Sequence, residues 1–96
     1  MKATAQRPTP RLQLTEAQRR VLQALAEGWR LKAHRDVEGR KQFRLHAPEG
    51  EERPVAWRVA EALAEQGLID SNKKFPAATF WLTEGGRAAA NALPRP

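Results

Sequence analysis

Residues 54–83, PVAWRVAEALAEQGLIDSNKKFPAATFWLT, constrain the fold of this chain more than any other stretch. They read as an amphipathic helix over about 54–66, with Pro54 suited to its first turn. Gly67 supplies the stop. A strand begins at Leu68-Ile69, the turn spans Asp70 to Ala78, and a second strand returns over Thr79–Leu82 with Phe80 and Leu82 on one face. A helix therefore runs straight into a hairpin tipped by Lys73 and Lys74. At about 100° per residue, Val55, Val59, Ala62 and Leu63 share one apolar sector of that helix. Trp57, Ala60, Glu61 and Ala64 occupy the opposite side.

The rest of the chain supplies the packing partners. Thr15 with Gln18 three residues later forms a capping box, and Val21, Leu22, Leu25 and Ala26 make a helical stripe that Gly28 ends. This predicts a first helix at about 15–27. Trp29, Leu31 and Ala33 then alternate with Arg30, Lys32 and His34. Beyond a turn near Glu38-Gly39, Phe43, Leu45 and Ala47 alternate with Gln42, Arg44 and His46. Such alternation on both sides of a glycine turn predicts a hairpin over 29–46, with one apolar face and one basic face. Residues 48–53, PEGEER, read as a polar connection. Thr83 is placed to cap a last helix that runs to about Leu93, its first turn weakened by Gly85 and Gly86. The expected core comprises Leu22, Leu25, Leu31, Val59, Leu63, Ile69, Phe80 and Leu82. Residues 1–13 read as a flexible basic tail, 14–93 as one domain and 94–96 as a second short tail.

Charge and composition narrow the functions. A net charge of +6 on 96 residues favours acidic partners, above all nucleic acid. The absence of cysteine removes thiolate and disulfide chemistry. No apolar run approaches the roughly 20 residues that span a bilayer, and MKATAQRPTPR has no apolar signal core, so a cytoplasmic, membrane-free protein is expected. Residues 29–46 carry six basic side chains (Arg30, Lys32, Arg35, Arg40, Lys41, Arg44) against two acidic ones (Asp36, Glu38). With Lys73 and Lys74 they form the candidate nucleic-acid-binding set, whose bland alternative is a solvated sheet face. His34 and His46 share the polar face, but two imidazoles without a cysteine fall short of the four ligands of a typical zinc site, so no metal is expected. Ser71 is the only serine, and no nucleophile–base set or paired-carboxylate cleft points to catalysis, a cofactor or a small-molecule substrate. The outer side of the second helix offers glutamates, alanines and a tryptophan rather than groups that read base edges. Trp57, Ala60 and Ala64 are instead candidates for a protein interface or a homodimer contact, the alternative being that Trp57 folds over the core edge. Trp81 alternates away from Phe80 and Leu82. It either covers the hairpin or forms a platform for a base or a partner.

The helix, the GLI strand start, the turn and the ending LTEGGR resemble the second half of bacterial winged-helix regulators of the MarR or PadR kind. A basic hairpin stands where those proteins have another helix. The order LTEAQRRVLQALAEGWRL, HRDVEGR, QGLI and LTEGGR over about residues 12–93 more closely resembles the small YjhX-like proteins, toxins of toxin–antitoxin pairs. These resemblances imply an α+β, winged-helix-like fold with three helices, a basic hairpin after the first and a wing hairpin after the second. They imply no catalytic residue. The expected function is a non-enzymatic nucleic-acid-binding or regulatory module that grips duplex DNA mainly by charge. The alternative is a protein-interaction module, such as a toxin or inhibitor that holds a nucleic-acid enzyme.

Overall fold

A computed structural model describes residues 14–72 and 77–93. Its elements, in chain order, are α1 (Glu16–Ala26), β1 (Arg30–Arg35), β2 (Lys41–His46), β3 (Glu52–Val55), α2 (Trp57–Glu65), β4 (Ile69–Ser71), β5 (Ala77–Leu82) and α3 (Glu84–Ala92). The protein is thus a small α+β domain, with three helices and five antiparallel strands among the described residues. Lys73 and Lys74 lie outside the described residues, as do the two tails.

Local signals start the first and third helices, and glycine ends the first, as the sequence predicts. The Thr15 hydroxyl accepts the Gln18 amide at 3.1 Å, while the Gln18 side chain accepts the Thr15 amide at 2.8 Å. Two amides that the first helical turn cannot satisfy are thereby paired. At the other end Gly28 takes a φ of +104°, a left-handed conformation open to glycine and strained for residues with a Cβ. Thr83 caps α3, its hydroxyl accepting the Gly86 amide at 3.0 Å. The same hydroxyl donates to the Gly67 carbonyl, and the Thr83 amide donates to the Leu68 carbonyl. The start of α3 is therefore stitched to the end of α2. Gly86 fits there because a Cβ would sit 1.8 Å from the Leu68 carbonyl oxygen. What the sequence presents as a weak first turn is a close approach that demands glycine.

The predicted hairpin over 29–46 is present, with Leu31 opposite Leu45 and Ala33 opposite Phe43. It forms the middle of a sheet whose strand order is β3-β2-β1-β5-β4. β5 joins the two hairpins, pairing with β1 on one side and β4 on the other. Because opposed residues share a face, the register sorts every strand residue. Leu31, Ala33, Phe43, Leu45, Val55, Phe80, Ile69 and Leu82 face the helices. Arg30, Lys32, His34, Arg44, His46, Thr79 and Trp81 face the other way. Leu22, Leu31, Leu63, Ile69 and Leu82 are buried as expected, whereas Leu25, Val59 and Phe80 are half-buried at the margin of the core.

Three boundaries differ from the sequence reading. Part of the segment read as a polar connection is β3, which pairs with β2 so that Leu45 faces Arg53 and Phe43 faces Val55. Pro54 is accordingly a strand residue opposite Arg44. An outer strand tolerates proline because the missing N–H falls where no ladder bond is needed. Loss of these residues from the helix moves its start to Trp57, with Ala56 as N-cap. Without Val55 the buried side of α2 turns toward Ala60, which is 1% exposed, beside fully buried Leu63. Ala60 is thus no surface residue. In the second hairpin the pairing is longer than predicted: β4 continues to Ser71 and β5 begins at Ala77.

Candidate nucleic-acid interface

All three helices pack on one side of the sheet, and no described helix covers the other side. Alternation along β1 places Arg30, Lys32 and His34 there, and β2 adds Gln42, Arg44 and His46. The buried and half-open residues alternate strictly along both strands, as expected of a sheet with one wet face. Register places Lys32 between Arg44 on β2 and Thr79 on β5. One step along, Arg30 stands opposite His46, and beyond the Leu31–Phe80 pair the strands continue to Arg30 and Trp81. Trp81 is 45% exposed on this face and stands opposite Asp70 of β4.

The candidate basic residues divide into two groups. Arg30, Lys32 and Arg44 project from the uncovered face. Arg44 lies 3.9 Å from Glu52, too long for a strong hydrogen-bonded pair, and its side chain remains 40% exposed. Arg35 and Lys41 have the opposite alternation and stand across from each other at the turn end of the hairpin. Arg35 donates to the Gly39 carbonyl at 2.7 Å, and Arg40 pairs with Glu38 and lies near Asp36. Lys41 lines the groove beside Trp57, while Arg35 and Arg40 serve the turn. Asp36 organises it: one carboxylate oxygen accepts the Glu38 and Arg40 amides, each at 2.9 Å, and the other accepts from Gln42. Chiefly the Arg40 amide, with the Gln42 side chain and the Glu38 amide, holds the Asp36 carboxyl below its ordinary pKa, against a smaller opposing effect of burial.

A recess at one end of the uncovered face is lined by Gly28, Arg30, Lys32, His46, Ala47 and Pro48 and encloses about 400 Å³. His46 contributes a buried Nε2 that has no hydrogen-bond partner among the described residues, while its Nδ1 lies 3.7 Å from Glu52. His34 sits toward the opposite end of β1, across from Gln42, so the register separates the two histidines. No cluster of three or more His, Cys, Asp or Glu suited to a metal occurs among the described residues. None of the described helices is long and apolar enough to cross a membrane.

The candidate interface tryptophans lie on opposite sides of the sheet. Trp57 opens α2 on the helix side, 51% exposed, with the Arg58 guanidinium 5.6 Å from its ring centroid. Beside it a groove of about 420 Å³ is lined by Phe43, Phe80, Ala60 and Ala64, with Arg40, Lys41 and Glu61 among its polar residues. The Phe43 and Phe80 rings meet at 5.9 Å in a tilted pair. Ala60 is the nearly closed floor of this groove, and Ala64 is exposed. Sequence reasoning missed the stack of Arg53 on Trp29, at 5.2 Å, beside a cleft between α1 and β3. It also missed that Trp81 neighbours Arg30, because the β1–β5 pairing leaves no local signature. Comparison of the chain with protein-family models, curated proteins and solved structures returns no match.

Proposed function

We propose that this chain is a non-enzymatic nucleic-acid-binding module, winged-helix-like in its α2–β4–β5 portion, whose affinity is mainly electrostatic. One observation carries the reading: the register gathers Arg30, Lys32 and Arg44 on a sheet face that no described helix covers. Phosphate contacts need only such cations, and they confer affinity without sequence choice. The exposed side of α2 supports the same conclusion from the other direction. Its outward residues include Glu61, Ala64 and Glu65, which repel phosphates or leave base edges unread. Replacing Arg30, Lys32 and Arg44 together with glutamine tests the reading. Binding at low salt should fall sharply, and the salt slope should shrink by about two to three, close to one per lost contact. Undetectable binding by the native chain at low salt, or strong discrimination among sequences, would overturn it.

The groove beside Trp57 favours a second reading, a protein-interaction module such as a toxin or inhibitor that holds a nucleic-acid enzyme, or a homodimer. A half-exposed tryptophan next to a recessed aromatic floor is the usual composition of an interface anchor. The two surfaces lie on opposite sides of the sheet, so variants of one leave the other intact.

A further inference from the structure

We infer that the uncovered face takes a single strand of nucleic acid, with one base stacked on Trp81 and the adjoining phosphate held at the Arg30–Lys32–His46 recess. The inference rests on the nucleic-acid reading and narrows it to a single strand, in place of the duplex DNA expected from the sequence.

Breadth is the first argument. Five strands about 4.8 Å apart make a face roughly 19 Å across, wider than the major groove of about 12 Å. Such a face cannot enter the groove, and α2 lacks the side chains to do so in its place. The second argument is the stacking plane. Trp81 is nearly half exposed on an otherwise polar face, and an indole there offers π-stacking to a base that has left its own stack. A duplex keeps its bases stacked inside and gives Trp81 nothing comparable.

Charge placement is the third argument. Across the sheet the row runs Glu52, His46, Arg30 and, one step past the Leu31–Phe80 pair, Trp81 and Asp70, with a carboxylate on each outer strand and Arg30 between them. The outer carboxylates repel a second backbone and confine the attractive track to β2, β1 and β5, about 10 Å wide. Along that track Arg30 and Lys32 are successive outward residues of β1, and Arg44 stands opposite Lys32. The recess then supplies one specific contact. The Nε2 of His46 has no hydrogen-bond partner among the described residues, a cost that a bound strand would relieve with a phosphate oxygen that accepts from it or a sugar hydroxyl that donates to it.

The test measures anisotropy of labelled 12-nucleotide probes at about 0.1 M salt: one DNA strand, the RNA of the same sequence, and the DNA duplex. The native protein should hold one or both single strands at least tenfold more tightly than the duplex. Trp81→Ala should weaken single-strand binding about tenfold, the scale of one stacked base, and leave the duplex within about twofold. Trp81→Phe should keep most of the affinity, and His46→Ala should lower it with the melting curve of the protein unchanged. Equal or tighter duplex binding overturns the strand assignment. So does a folded Trp81→Ala variant with native single-strand affinity. If in those cases the Arg30/Lys32/Arg44 variant still loses binding to every probe, the broader nucleic-acid reading survives. Salt-insensitive or absent binding to all three probes overturns both.

Discussion

Two adjacent glycines in LTEGGR have opposite roles. A methyl group on Gly86 would meet the Leu68 carbonyl oxygen at 1.8 Å, so backbone must move. Gly86→Ala should cost about 3 kcal/mol, the upper range of overpacking. A Cβ on Gly85 meets only ordinary contacts at 3.7 Å or more, and Gly85→Ala should stabilise by about 0.5 kcal/mol through the unfolded chain. Urea midpoints of the two variants check both signs. Trp57 is argued at the same scale. It is half exposed and belongs to no buried cluster, so Trp57→Ala should leave the melting temperature nearly unchanged. It should weaken association with a protein partner or a second copy by about 2 kcal/mol, roughly thirtyfold. A large stability loss without any change in association would make Trp57 a core residue and remove the best anchor of the interface reading.

At the scale of elements, the clearest sequence signals were those with local chemistry. The Thr15–Gln18 box, the strict alternation over 29–46 and the Thr83 cap each depend on residues within a few positions of one another. β3 was hidden because its four residues include Pro54 and because its pairing with β2 is decided by Val55 meeting Phe43, a tertiary event. The same error misplaced Ala60, since counting Val55 into the helix turned the apparent apolar sector away from it. Leu63 survived the error because it belongs to both sectors, at the edge of the apparent one and near the middle of the observed one. Leu63→Ala should cost about 2–5 kcal/mol by thermal or denaturant unfolding, and a loss below about 1 kcal/mol would contradict its full burial. The β1–β2 turn makes a pH prediction. Asp36 has a folded-state pKa below its unfolded value of about 3.9. Its contribution is therefore fully present above that value and is lost as pH falls through the lower, folded one. Protection of the Glu38 and Arg40 amides, measured against intrinsic exchange at the same pH, should fall in that acid window in the native chain. In Asp36→Ala those amides should show little protection at any pH, and native-like protection would show that the carboxylate does not hold the turn.

At the scale of the whole molecule, the sequence displayed two faces for each hairpin but not the way the hairpins combine. The basic residues are plain in the sequence, yet which of them share a surface depends on strand parity and on the β1–β5 ladder. Parity could be read from the alternation itself: Arg35 and Lys41 are in phase with Leu31 and Phe43, not with Arg30 and Lys32. The ladder could not, because Ala33 lies opposite Ala78 across nearly half the chain. That central pairing also has a kinetic consequence. Everything from α1 to β3 is joined by short connections, and so is everything from α2 to α3. Only β5 sliding in beside β1 joins them into one sheet, and the intervening chain must be ordered first. β1, paired on both sides, should therefore hold the slowest-exchanging amides, with opening free energies equal to global unfolding. Refolding should wait on the arrival of β5, so a chain emerging from the ribosome holds a completed first meander but no closed core until Ala77–Leu82 have left the exit tunnel.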